Sequence, residues 1–67
     1  MQKTYNVIFN DDHNSNDKGF SESLSFCENY IARHNGTNTS YFADYKGGTV
    51  SIVCNETGKT VFETEVL

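Results

Sequence analysis

From Thr4 to Asn10 the chain alternates, with Tyr5, Val7 and Phe9 on one side and polar or smaller neighbours on the other. That two-residue period predicts a half-buried strand. Asn10 to Gly19 carries no apolar side chain and is rich in Asn, Asp, Ser and Gly. Such a stretch reads as a loop. Phe20, Leu24, Cys27 and Ile31 then recur at intervals of four, three and four, with Phe26 and Tyr30 widening the apolar side. This spacing predicts an amphipathic helix from Ser21 to His34. Ser21 is its expected N-cap, Glu22 and Arg33-His34 complement the helix dipole at the two ends, and Asn35-Gly36 supplies the left-handed stop.

The remaining third predicts an antiparallel meander whose register follows from its turns. A two-residue Gly47-Gly48 hairpin sets Tyr45 against Val50, Ala43 against Ile52, Tyr41 against Cys54 and Phe42 against Val53. A loop at Glu56-Thr57-Gly58 sets Ile52 against Phe62, Cys54 against Thr60, Val53 against Val61 and Ser51 against Glu63. Both turns independently put Val50, Ile52 and Cys54 on one face, and a slip of one residue would reverse every side chain. The expected architecture is therefore α+β, in the order β-α-β-β-β. One helix packs on one face of a three- to four-stranded, mainly antiparallel sheet. The first strand has three candidate positions: parallel beside the second through a right-handed crossover, beside the last strand, or against another chain.

Length changes this picture by setting its scale. Sixty-seven residues make a single domain, 1–67, with a small core, and nine aromatic rings (five Phe, four Tyr) supply much of it. Charge narrows the partners. The net charge of -4 leaves only Lys3, Lys18, Arg33, Lys46 and Lys59 as scattered cations, too few to neutralise a nucleic-acid backbone or grip an anionic membrane. No apolar run approaches the ~20 residues of a membrane span, and Met1 to Tyr5 has no apolar leader segment. The expected location is cytoplasmic, with Cys27 and Cys54 reduced.

Candidate chemistry is sparse. Counted from Asp11, a twelve-residue calcium loop would use Asp11, His13, Ser15, Asp17 and Glu22, but Asn16 stands where that loop needs glycine and no helix precedes it. Lys46-Gly47-Gly48-Thr49 lacks the spacing of a phosphate loop and joins two expected strands. Cys27 and Cys54 lie on expected core faces, away from any pairing with His13 or His34 that would activate a thiolate. We therefore assign no catalytic residue, no metal ligand and no cofactor. The feature with most weight is the sheet face opposite the helix, where Phe42, Val53 and Val61 form a row that Ile8 extends. A contiguous apolar patch of this kind marks an association surface. The leading expectation is a non-enzymatic protein-interaction module whose partner is another protein or a second copy of itself. The alternatives are an acidic inhibitor or decoy that presents Asp44, Glu63, Glu65 and Asp11-Asp12 to a basic protein surface, or weak calcium binding at Asp11–Asp17.

The stretch from Tyr41 to Cys54, Tyr-Phe-Ala-Asp-Tyr-Lys-Gly-Gly-Thr-Val-Ser-Ile-Val-Cys, together with the Asn/Asp-rich loop, resembles small uncharacterised proteins of Bacteroidetes-type bacteria. The resemblance implies a bacterial cytosolic protein. It carries over no activity, cofactor or catalytic residue.

Overall fold

The computed structural model describes residues 3–67; Met1 and Gln2 of the leader-free reading lie outside the described residues. The expected α+β architecture holds: one long helix lies on one face of a four-stranded antiparallel sheet. The strands are β1 (Tyr5–Asn10), β2 (Ser15–Asp17), β3 (Thr49–Cys54) and β4 (Thr60–Glu65), in the order β2-β1-β3-β4. The long helix α1 spans Leu24–His34, and a single helical turn, α2, spans Tyr41–Asp44.

The element order departs from expectation in two places. Ser15–Asp17 lies inside the expected loop, yet it pairs with β1 as an edge strand. Asp11 makes the reversal: its carboxylate accepts the backbone N–H groups of His13 (2.8 Å) and Asn14 (2.6 Å), an Asx turn that aims the chain back along β1. All three β2 residues are exposed, so no apolar alternation signals them. The second departure concerns Tyr41–Asp44, which is helical where a strand is expected. Tyr41, Phe42 and Tyr45 are spaced 0, 1 and 4, which fits one helical turn as well as a strand. In the helical form all three rings meet Phe9 of β1, at 5.5, 4.8 and 5.8 Å between centroids. β1 itself occupies the place beside β3 that the Tyr41 segment was expected to fill. Phe42, expected on the far face of the sheet, is instead fully buried in the core.

The helix starts two residues later than expected. Ser23 is its N-cap and accepts from the Phe26 amide at 3.1 Å, whereas Glu22 pairs with Tyr5 in an antiparallel bridge. Cys27 and Ile31 carry the buried stripe, and Gly36, at φ +87°, provides the left-handed residue past the end. Val7 and Phe9 of β1 and Val50 and Ile52 of β3 form the sheet's contribution to the core, with Phe42, Tyr45 and Val66 packed alongside. At Gly48 any Cβ would lie 2.3 Å from the Asn10 carbonyl oxygen, so the turn between α2 and β3 can press against the end of β1 only without a side chain there.

The turn-derived register holds for Ile52 against Phe62 and Ser51 against Glu63. Beyond Ile52 a β-bulge intervenes, so Val53 faces Thr60 and the Cys54 amide donates to the Lys59 carbonyl (2.9 Å). Val61 therefore sits in the bulge, where it was expected opposite Val53. The Asn35 side chain ties the end of α1 to the last strand: its Nδ2 donates to the Glu65 carbonyl (3.0 Å) and its Oδ1 accepts from the Leu67 amide (2.9 Å).

Candidate interaction surface

Backbone pairing sorts every strand residue onto one of two faces. The helix-side face holds Val7, Phe9, Val50 and Ile52. The opposite face is built in rows: Asp17, Ile8, Ser51 and Glu63 across all four strands, Ser15, Asn10, Thr49 and Glu65 beside them, and Asn6, Val53 and Thr60 on the other side. Both helical elements pack on the first face, α1 against β1 and β3, and α2 through Phe42 and Tyr45 against Phe9. Ile8 and Val53 on the second face keep contact with solvent, in contrast to the completely buried Val7, Phe9, Val50 and Ile52.

Of the four residues expected on this surface, Ile8 and Val53 lie on it, and Val61 borders it from the bulge, 48% exposed. Phe42 does not belong to it. The structure adds a residue that sequence reasoning missed: Asp17, whose position became legible only once the Asx turn made Ser15–Asp17 a strand. Ser51 is 4% exposed, and its hydroxyl donates to the Glu63 carboxylate at 3.1 Å, which folds that side chain across β3. Asp17, Glu63 and Glu65 are all exposed, and no Lys, Arg or His occupies any register position on this face. The surface thus has a small apolar and hydroxyl-bearing centre between acidic margins on β2 and β4.

A second feature unites two segments that the sequence treats separately. Asp11, Asp12 and His13 of the β1–β2 turn face Lys46, Gly47 and Gly48 across an open cleft of about 200 Å³. The Asp11 carboxyl is held below the usual carboxylate range, first by the His13 amide and then by that of Asn14, so its charge serves the turn. The calcium geometry does not assemble. Glu22 is bridged to Tyr5 at the far end of β1 from Asp11, roughly 20 Å away at the rise of an extended strand. Among the described residues no three His, Cys, Asp or Glu side chains converge.

Both cysteines are free thiols that flank Tyr5: Cys27 Sγ approaches the Tyr5 carbonyl at 3.7 Å, and Cys54 is the cross-strand partner of Tyr5. Burial pushes the Cys27 thiol up, with Glu22 adding to the effect. The Cys54 thiol is drawn down, chiefly by the Thr57 hydroxyl and then by the Thr57 amide, although its side chain has little accessible surface. His34 stacks obliquely on Tyr30 (4.9 Å) and lies far along the chain from His13, which stays at the cleft. Among the described residues no helix is long and apolar enough to cross a membrane. No protein-family model, curated protein or solved structure matches this chain.

Proposed function

We propose that this chain is a non-enzymatic, cytoplasmic protein-interaction module that engages another protein through the sheet face opposite α1. The carrying observation is the asymmetry of the sheet. On one face α1 and α2 cover β1 and β3 and leave Phe62 of β4 39% exposed, whereas neither helix packs on the other face, where Ile8 and Val53, with Val61 beside them, retain solvent contact. Partly exposed apolar side chains gathered on a flat sheet, rimmed by polar ones, have the composition of a protein contact surface. A second copy docked on the same face would set one all-acidic set of charged positions, Asp17, Glu63 and Glu65, against another. Like charges across an interface disfavour pairing, so a different protein is the better occupant. The Bacteroidetes-type resemblance fits a bacterial cytosolic setting for that encounter.

In-cell photo-crosslinking tests the reading. A photoreactive side chain at Val53 is expected to give a discrete adduct that the same group at the exposed helix position Ala32 does not give. Equal labelling from both positions, or none from either Val53 or Val61, refutes the docking face.

A further inference from the structure

Resting on that reading, we propose that the docking face receives a cationic extended segment of a partner protein, with two Lys or Arg side chains flanking a small apolar residue. The argument starts from the row Asp17, Ile8, Ser51, Glu63, which crosses all four strands. Three strand spacings, about 14 Å, separate the Asp17 and Glu63 backbones, and the Glu63 carboxylate leans inward from β4 to accept from the Ser51 hydroxyl at 3.1 Å. In an extended peptide, residues i and i+4 point to the same side and are also separated by about 14 Å, with i+2 between them. A Lys-x-Val-x-Lys segment laid across the sheet therefore matches the row. Its cations reach Asp17 on β2 and Glu63 on β4, with Glu65 one register step away, and its valine falls midway along the row, between Ile8 and Ser51, with Val53 one register step away.

Three features select this occupant over others. Nucleic acid is repelled, because every charged register position on the face is acidic. A second copy meets the same repulsion. Strand addition at the β4 edge is restricted by Asn35. Val66 exchanges backbone bonds with Gly47 and Gly48, which by alternation turns the Glu63, Glu65 and Leu67 backbone groups outward. The Asn35 amide already holds the Glu65 carbonyl and the Leu67 amide, leaving Glu63 as the outward-facing residue of regular β4 pairing with both groups open. The face is thus better suited than the edge. Its whole area is about 340 Å², from three strands of six residues and one of three, less than half the ~800 Å² per partner of a stable complex, so the encounter is transient and charge-steered.

The test uses the purified chain, a synthetic Lys-Thr-Val-Thr-Lys peptide and its Glu-Thr-Val-Thr-Glu counterpart, followed by amide chemical shifts. The lysine peptide is expected to move the Ile8, Ser51 and Val53 amides, and the glutamate peptide to move none. Affinity should fall steeply between roughly 0.05 and 0.5 M salt as screening tightens. The combined Asp17→Asn, Glu63→Gln and Glu65→Gln variant should weaken binding about fivefold, the sum of two exposed ion pairs for the two lysines, while Asp11→Asn with Asp12→Asn leaves it unchanged. Shifts centred on the Asp11–Lys46 cleft or on α1, equal binding of both peptides, or no binding overturn the proposal. If any of these accompanies a discrete crosslink at Val53, the docking face stands and only the partner's chemistry falls; loss of that crosslink removes the face itself.

Discussion

Replacing Phe42 by alanine tests the largest difference between sequence expectation and structure, because the expected strand would leave this ring outside the core. In the fold it is fully buried, edge-on to Phe9 at 4.8 Å and 89°, with Tyr30 at 5.6 Å and His34 at 6.2 Å. A buried aromatic side chain removes 150–250 Å² from water, about 4–6 kcal/mol as an upper bound at 25 cal/mol per Å². Alanine retains a fraction of that, and measured Phe→Ala losses cluster at about 3–5 kcal/mol. A chain of 67 residues has a total stability of about 3–10 kcal/mol, so Phe42→Ala should be barely folded or unfolded. Phe42→Leu gives a readable version. It keeps most of the volume but loses the edge-on contact, at an expected cost of about 1–2 kcal/mol. For a domain this size that lowers Tm by roughly 5–15 °C. Urea titrations followed by circular dichroism, with Val53→Ala as the partly exposed comparison, measure the difference. If Phe42→Ala remains folded with a midpoint within about 0.5 kcal/mol of the unsubstituted chain, the value of a surface change, Phe42 is not in the core and the packing of α2 on β1 is wrong.

Three further outcomes follow from particular contacts. Ser23→Ala should cost about 1 kcal/mol because it strips the cap from the Phe26 amide, whereas Ser21→Ala should be nearly neutral; the reverse ranking in urea would move the helix start. The Asp11 carboxyl should titrate below 3.8 in a carboxyl-carbon NMR experiment. Because its folded pKa lies below the unfolded one, its contribution to stability is complete above the unfolded value and is lost as pH falls through the folded value; a midpoint at or above 3.8 would contradict the turn geometry. Cys54 should be alkylated with a pH midpoint below 9.0, and Thr57→Val should raise that midpoint while Cys27 stays the slower thiol; an unchanged profile in the variant would remove Thr57 as the cause.

The parts of the fold legible in the sequence are those whose side chains carry the signal. The helix announces itself because Leu24, Cys27 and Ile31 must share one stripe to reach the core. The β3–β4 hairpin does so because Gly58, at φ +74°, permits a turn that fixes Ile52 against Phe62. β2 escapes notice because an exposed edge strand is held by backbone bonds, which any polar residue can make. Tyr41–Tyr45 is too short for its apolar spacing to distinguish a strand from a helical turn, and the choice falls to Phe9, which collects all three rings. The partner of β1 is a long-range matter that local patterning does not encode. Ile8 and Val53 on the candidate surface were readable from alternation. Asp17 was not, because its role depends on the Asp11 reversal, and Val61 was displaced by a bulge that no local signal marks.

The central placement of β1 has a consequence for how the chain reaches this state. Its main strand partner, β3, begins about forty residues downstream, so within the sheet β1 has only the short β2 beside it until Thr49–Cys54 arrives. Closing so long a segment is entropically costly before any contact rewards it, which slows collapse and makes it all-or-none. A nascent chain still lacking the Thr49–Cys54 segment would hold one backbone edge of β1 without its strand partner, and that interval is when this small protein is most prone to mispairing.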